Sequence, residues 1–86
     1  MAKMFGKLRL TDYDQWKPIF ESMRSTRQKF GSTGEKLFRA EDNRNEVLVV
    51  VDWETVDQAK KFGESQELKD AMKRGGVVDL EMHFVD

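Results

Sequence analysis

The sequence predicts an α+β domain in which a four-stranded antiparallel sheet carries its helices on one face. Three observations predict it. The stretch Asn45 to Glu54, NEVLVVVDWE, contains an unbroken apolar run from Val47 to Val51 in which four of five residues are Val; β-branched content and short length make it a strand. Strand patterns also stand near both ends of the chain, where apolar and charged residues alternate. Two amphipathic helical regions separate these strands from the centre. The order β-α-β-β-α-(α)-β is the ferredoxin-like split βαβ arrangement, with strand order 4-1-3-2. A strand apolar on both faces needs a layer on each side. The helices of an 86-residue chain cover only one, so the other cover must come from elsewhere.

The first strand is predicted over Ala2 to Thr11. Met4, Leu8 and Leu10 alternate with Lys3, Lys7 and Arg9, the period of two that a half-buried strand shows. Gly6 falls on the apolar side, where a missing side chain permits close approach; Phe5 falls on the charged side. Thr11 to Asp14 supplies capping residues. One helix follows, with Trp16, Ile19, Phe20, Met23 and Phe30 on a single stripe. Pro18 belongs near its start, with a loose turn before it and regular helix after. Gly31-Ser-Thr-Gly34 ends that helix. Because it closes a helix and does not open one, it is not a phosphate-binding loop.

Glu35 to Glu41 is the second strand, with Leu37 and Phe38 on opposite faces. Asp42 to Asn45 is turn chemistry, so the second and third strands form a hairpin. Thr55 to Gln58 has a capping-box pattern, opening a helix over Val56 to Phe62. Gly63-Glu64-Ser65 breaks it, and Ser65 caps a further helix over Gln66 to Arg74, stopped by Gly75-Gly76. The last strand runs from Val77 to Val85. Val78, Leu80, Met82 and Phe84 are expected to point one way and Asp79, Glu81 and His83 the other, with Asp79 and Glu81 opposite Lys7 and Arg9.

Residues 1–86 are expected to form one domain, and a chain of this length buries only about 60–65% of its unfolded surface. There is no cysteine, hence no disulfide, thiolate metal site or thiol nucleophile. Charged residues make up 36% of the chain, but 15 basic and 16 acidic residues are interspersed. That balance argues against nucleic acid or an acidic membrane as the partner. MAKMFGKLRL has neither a long apolar core nor a cleavage signal. The expectation is a soluble cytoplasmic protein.

The run VDWETVDQAKKFGESQELKDAMKRGGV, together with the order of elements and the Gly31/Gly34 break, resembles the antibiotic-biosynthesis monooxygenase-like superfamily of dimeric α+β barrels. The matching pattern is Trp53-Glu54 at a strand end, the aromatic Phe62 on a short helix, then Ser65 and Leu68. The resemblance implies a homodimer in which two sheets face each other, supplying the missing cover. It implies a cofactor-independent monooxygenase acting on a small aromatic or polyketide-like molecule, or a non-catalytic ligand-binding or structural dimer. Heme-degrading members carry Asn on strand one, Trp on the helix after strand three and His near the end of the next helix. Here strand one has no Asn, and Phe62 and Met72 stand at the other two positions, which argues against heme degradation.

Candidate site residues follow from position. Arg27 lies on the apolar helix stripe, four residues after Met23. Its guanidinium either enters a pocket between helix and sheet and holds an anionic or enolic oxygen, or reaches the rim. Trp16, Phe20, Met23, Phe62 and Met72, with Trp53 at the edge, either line an apolar ligand cavity beside Arg27 or pack as core. A ligand site of this kind has roughly 300 Å³ or more. Asp52 is either a general base or a strand-end carboxylate. Tyr13 either donates at the pocket mouth or closes the loop, and Arg39 is a pocket, interface or surface residue. Asp79, Glu81 and His83 share one strand face, but same-face neighbours stand about 7 Å apart, too far for a compact metal site. No metal, heme, flavin or nucleotide is expected. Phe5 and Leu37 join the valine run as apolar side chains that the helices cannot all cover, marking the surface for the second subunit.

Overall fold

The computed structural model describes residues 2–86. Its elements are β1 (Ala2–Leu10), α1 (Tyr13–Ser22), α2 (Arg24–Phe30), β2 (Ser32–Arg39), β3 (Glu46–Trp53), α3 (Val56–Gly63), α4 (Gln66–Gly75) and β4 (Val77–Val85). Every pairing is antiparallel and the sheet order is β2-β3-β1-β4, the predicted order read from the opposite edge. This is the ferredoxin-like α+β fold.

The inward face of the sheet is written in the alternation of its two central strands. Ala2, Met4, Leu8 and Leu10 of β1 and Val47, Val49, Val51 and Trp53 of β3 are buried. Trp16, Met23, Ala59, Phe62 and Ala71 meet them from the helices. Each fully buried Val contributes about 1.5–3 kcal/mol, so the three inward valines anchor the layer. The helix starts are fixed locally. Thr55 Oγ1 accepts from the Gln58 N–H at 3.2 Å, and Gln58 Oε1 accepts from the Thr55 N–H at 3.2 Å. This is the predicted capping box. Ser65 Oγ accepts from the Leu68 N–H at 3.2 Å.

Four expectations require correction. The first helix is two helices. It is regular through Pro18, although Pro18 forfeits a bond to the Asp14 carbonyl. The interruption falls at Met23, whose N–H turns back to the Phe20 carbonyl at 3.2 Å. The second strand begins at Ser32, not Glu35. Gly31 alone is the helix cap, at φ 111°, and the extra residue Thr33 is absorbed as a register shift between Ser32 and Gly34. Leu37 pairs beside the inward Val49 and packs against the core. It is Phe38 that stands on the uncovered face, 53% exposed. Val78 does not join Leu80, Met82 and Phe84. The register shifts between Arg9 and Leu10, Val77 takes the place opposite Leu10, and Val78 is displaced into solvent as the bulged residue.

The uncovered face carries Phe5, Phe38, Leu48 and Val50 at its centre. Around them stand Lys3, Lys7, Arg9 and Lys36, and Glu46, Asp52, Asp79 and Glu81. Arg9 meets Asp79 at 3.5 Å as the sequence suggests, but Lys7 turns to Glu46 at 3.3 Å. No helix of the described residues is long and apolar enough to cross a membrane.

Candidate functional site

The helix break at Met23 builds the site. Were α1 and α2 continuous, the Phe20 carbonyl would lie inside one helix ladder. At the break it keeps a free lone pair, and the Arg27 guanidinium takes it, Nη1 donating at 3.0 Å. Nη2 donates to Glu35 Oε1 at 3.1 Å, and the charged group lies 4.2 Å from the centre of the Phe20 ring. Arg27 is 3% exposed, so of its two sequence-level placements the inward one is observed. Its Nε–H has no acceptor. An unpaired buried donor costs roughly 1–3 kcal/mol.

Burial pushes the Arg27 pKa below the ordinary guanidinium value, and Glu35 opposes the shift by hydrogen bond and charge. For a basic group, a lowered folded pKa means that charging is disfavoured by folding. The cost is present below the folded pKa and lifts only as pH rises through it toward the ordinary guanidinium value. Arg27 is therefore a fixed cation that adds no pH dependence in the neutral range. Its counter-charge is Glu35, whose Oε1 lies 3.1 Å from Nη2, a residue for which the sequence predicts no role. In β2 Glu35, Leu37 and Arg39 form one period-two series, so Glu35 shares the face on which Leu37 packs inward, a face that pairing with β3 decides.

Arg27 lines a cavity between the helices and the sheet. Trp16, Phe20, Met23, Phe62 and Met72 line it too, with Met4, Gly6, Leu8, Val49, Leu68 and Met82 among their neighbours. The volume is about 60 Å³, well short of the 300 Å³ expected. Phe20, Leu68, Met72 and Met82 are only half-buried, which places the open side between α1, α4 and β4. Trp53 is fully buried but is not a lining residue. It stands behind Phe62, ring centres 5.3 Å apart, and its Nε1–H also lacks an acceptor. Among the described residues Arg27 is the sole ionisable side chain on the cavity wall.

The other candidates lie elsewhere. Asp52 is on the uncovered face, paired with Lys3, with the sheet between it and Arg27. His83 is exposed on that same face and bonds Glu81 at 3.0 Å. Among the described residues no three His, Cys, Asp or Glu side chains converge as metal ligands would. Arg39 covers the Tyr13 ring at 3.9 Å and donates to the Arg44 carbonyl at 2.7 Å, so this pair closes the β2–β3 hairpin against α1. A larger hollow of about 340 Å³ lies on the uncovered face, floored by Phe5, Phe38, Leu48 and Val50. Its floor residues are largely exposed, so it is a trough and not an enclosed site. The smaller space beside Arg27, with helices on one side and the sheet on the other, is the better candidate for chemistry.

Solved structures with the same arrangement decide the fold. A candidate antibiotic biosynthesis monooxygenase from Bordetella bronchiseptica superposes with a TM-score of 0.83 at 18% identity, over 99% of this chain and 94% of that one. SnoaB, a cofactor-independent oxygenase from Streptomyces nogalater, gives 0.80 at 11% identity, over 99% and 90%. The fold is that of the antibiotic biosynthesis monooxygenase-like proteins. A conserved protein from Methanosarcina mazei shares it, at 0.76 and 10% identity over 98% and 89%. No protein-family model matches the chain, and no curated protein matches it in sequence. At these identities the likeness concerns the fold, and the chemistry must be argued from the cavity.

Proposed function

We propose that the protein binds a small, largely apolar molecule bearing an acidic hydroxyl, a phenol or an enol, in the cavity beside Arg27, and promotes its oxygenation without a cofactor. The observation that carries this reading is a buried guanidinium on an otherwise apolar cavity wall, whose Nε–H has no acceptor within the protein. A hydroxyl oxygen is the acceptor that donor lacks. Ionised to a phenolate, it gains more from the fixed cation than the neutral form does, and in a dry site that difference is large. A phenolate carries negative charge on its para carbon and can itself reduce oxygen. A para C–H becomes C=O, the phenol becomes a quinone, one oxygen atom of O₂ is kept and the other leaves as water with the two displaced hydrogens. The likeness in fold to a cofactor-independent oxygenase supports the reaction class.

A second reading, ligand binding without chemistry, is favoured by the wall itself, since no lining side chain among the described residues can take the hydroxyl proton. An oxygen electrode separates the two. Oxygen uptake with a phenol whose para carbon bears hydrogen, quinone appearing in the spectrum and both lost in Arg27→Met, supports the oxygenase. Saturable binding without uptake supports the binding protein; neither binding nor uptake defeats both.

The assembly belongs to the same proposal. The uncovered face joins an apolar centre to four basic side chains, Lys3, Lys7, Arg9 and Lys36, and four acidic ones, Glu46, Asp52, Asp79 and Glu81. A face with balanced charge of both signs suits a second copy of itself, which isologous dimers require.

A further inference from the structure

The floor of the cavity is bare where strand alternation calls for a side chain. β1 sends Met4 and Leu8 inward, and between them stands Gly6, flanked by Val49 of β3 and Met82 of β4. Its φ is not positive, so the backbone does not require glycine. Close packing is a weak reason for it: a Cβ there would meet only the far end of the Leu8 side chain, Cδ1 at 3.2 Å, which would have to give by a few tenths of an ångström. That methyl lies on the cavity wall and has space to yield. Glycine inside a strand is less stable than alanine there, and an unfilled space forfeits dispersion contacts as well. What this glycine preserves is room above the centre of the sheet.

The walls around that floor are movable. The chain has five methionines, and Met4, Met23, Met72 and Met82 all line the cavity. Unbranched thioether side chains re-pack at small cost. Other walls are not movable. Trp16 stacks on Phe20 with ring centres 4.8 Å apart, and a Cβ at Gly75 would come within 2.9 Å of the Trp16 ring, so the indole is held tightly. A cavity of about 150 Å³ accepts benzene, and the present one has about 60 Å³. Methionine rotation can make up a difference of one ring. Three fused rings would require displacement of the Trp16–Phe20 pair.

From these observations, and resting on the ligand-site reading above, we infer that Gly6 sets the size of the ligand. The site takes a single-ring phenol or enol lying flat over Gly6, its oxygen accepting from Arg27 Nε. Polycyclic molecules are excluded.

The test titrates hydroquinone and 1,8,9-trihydroxyanthracene into the full chain, wild type and Gly6→Ala, with tryptophan fluorescence as the readout. Circular dichroism and the melting temperature establish folding. Hydroquinone is expected to bind the wild type and to lose affinity by about tenfold or more in Gly6→Ala, while Gly6→Ala melts at a higher temperature. Met82→Ile, which stiffens the wall beside Gly6, should weaken hydroquinone binding as well. Unchanged hydroquinone affinity in Gly6→Ala, or failure of that variant to fold, overturns the inference, because the space above Gly6 is then neither used nor open. If the three-ring compound binds the wild type and Arg27→Met abolishes its binding, the site stands and the size limit falls. If no compound binds the wild type, the ligand-site reading itself falls, and this inference with it.

Discussion

Arg27 and Glu35 form an unequal pair, and the inequality can be measured. Arg27→Met keeps a chain of similar reach and removes the charge. It gives up the bond to the Phe20 carbonyl, 3.0 Å, and the ion pair with Glu35, 3.1 Å. Removing one partner of a buried pair costs about 3–5 kcal/mol. The lower end applies here, because Glu35 is not stranded. Its side chain is 18% exposed, and Arg24 Nε remains 3.5 Å from the same oxygen. Relief of Arg27 desolvation offsets a further part. The expected loss is about 3 kcal/mol. Glu35→Gln is the smaller chemical change, yet it leaves a guanidinium only 3% exposed facing a neutral amide. It should therefore cost at least as much. The double variant should fall short of the sum of the singles by about 1–2 kcal/mol, since the stranded charge is gone. Urea unfolding at fixed protein concentration, with an unchanged slope, measures all three. A value for Arg27→Met within about 0.5 kcal/mol of wild type, or strict additivity in the cycle, would refute the argument that Glu35 holds a buried cation in place.

Two further outcomes follow from the sheet and its edges. Val50→Asp places a carboxylate at the centre of the uncovered face and should convert a dimer to a folded monomer in sedimentation, whereas Val49→Asp, on the covered face, should unfold the chain; a wild type that sediments as a monomer at micromolar concentration would end the dimer proposal. Gly31→Ala forces alanine to φ 111° and brings its Cβ within 2.5 Å of the Gln58 side chain. It should cost about 1–2 kcal/mol for the backbone alone, with more from displacing Gln58 out of its capping box; a change below about 0.5 kcal/mol in urea unfolding would show that the left-handed cap is not needed.

The extent of β4, Val77–Val85, and of β1 to within one residue could be read directly, because period-two alternation is a property of neighbours along the chain. The same holds for the start of α3, where Thr55 and Gln58 satisfy each other within four residues. Val47 to Val51 identified the central strand and the need for cover on both faces, since no arrangement of so short a chain wets three consecutive valines without cost. Other features depended on residues distant in sequence. Leu37 and Phe38 differ little in character, and which of them faces the helices is decided by the register shift at Thr33, a consequence of pairing with β3. The displacement of Val78 is likewise set by Leu10 across the ladder. The break at Met23 has no glycine or proline to announce it; in the folded chain it coincides with the meeting of the Phe20 carbonyl and Arg27. The apolar stripe placed Arg27 beside Trp16, Phe20 and Met23. Whether its charge turned inward depended on a counter-charge, and Glu35 comes within 3.1 Å only after α2 has folded back along β2. The volume beside it, about 60 Å³, was not legible at all. Periodicity tells which side chains share a face, but the space left between two faces is fixed by how closely the layers pack.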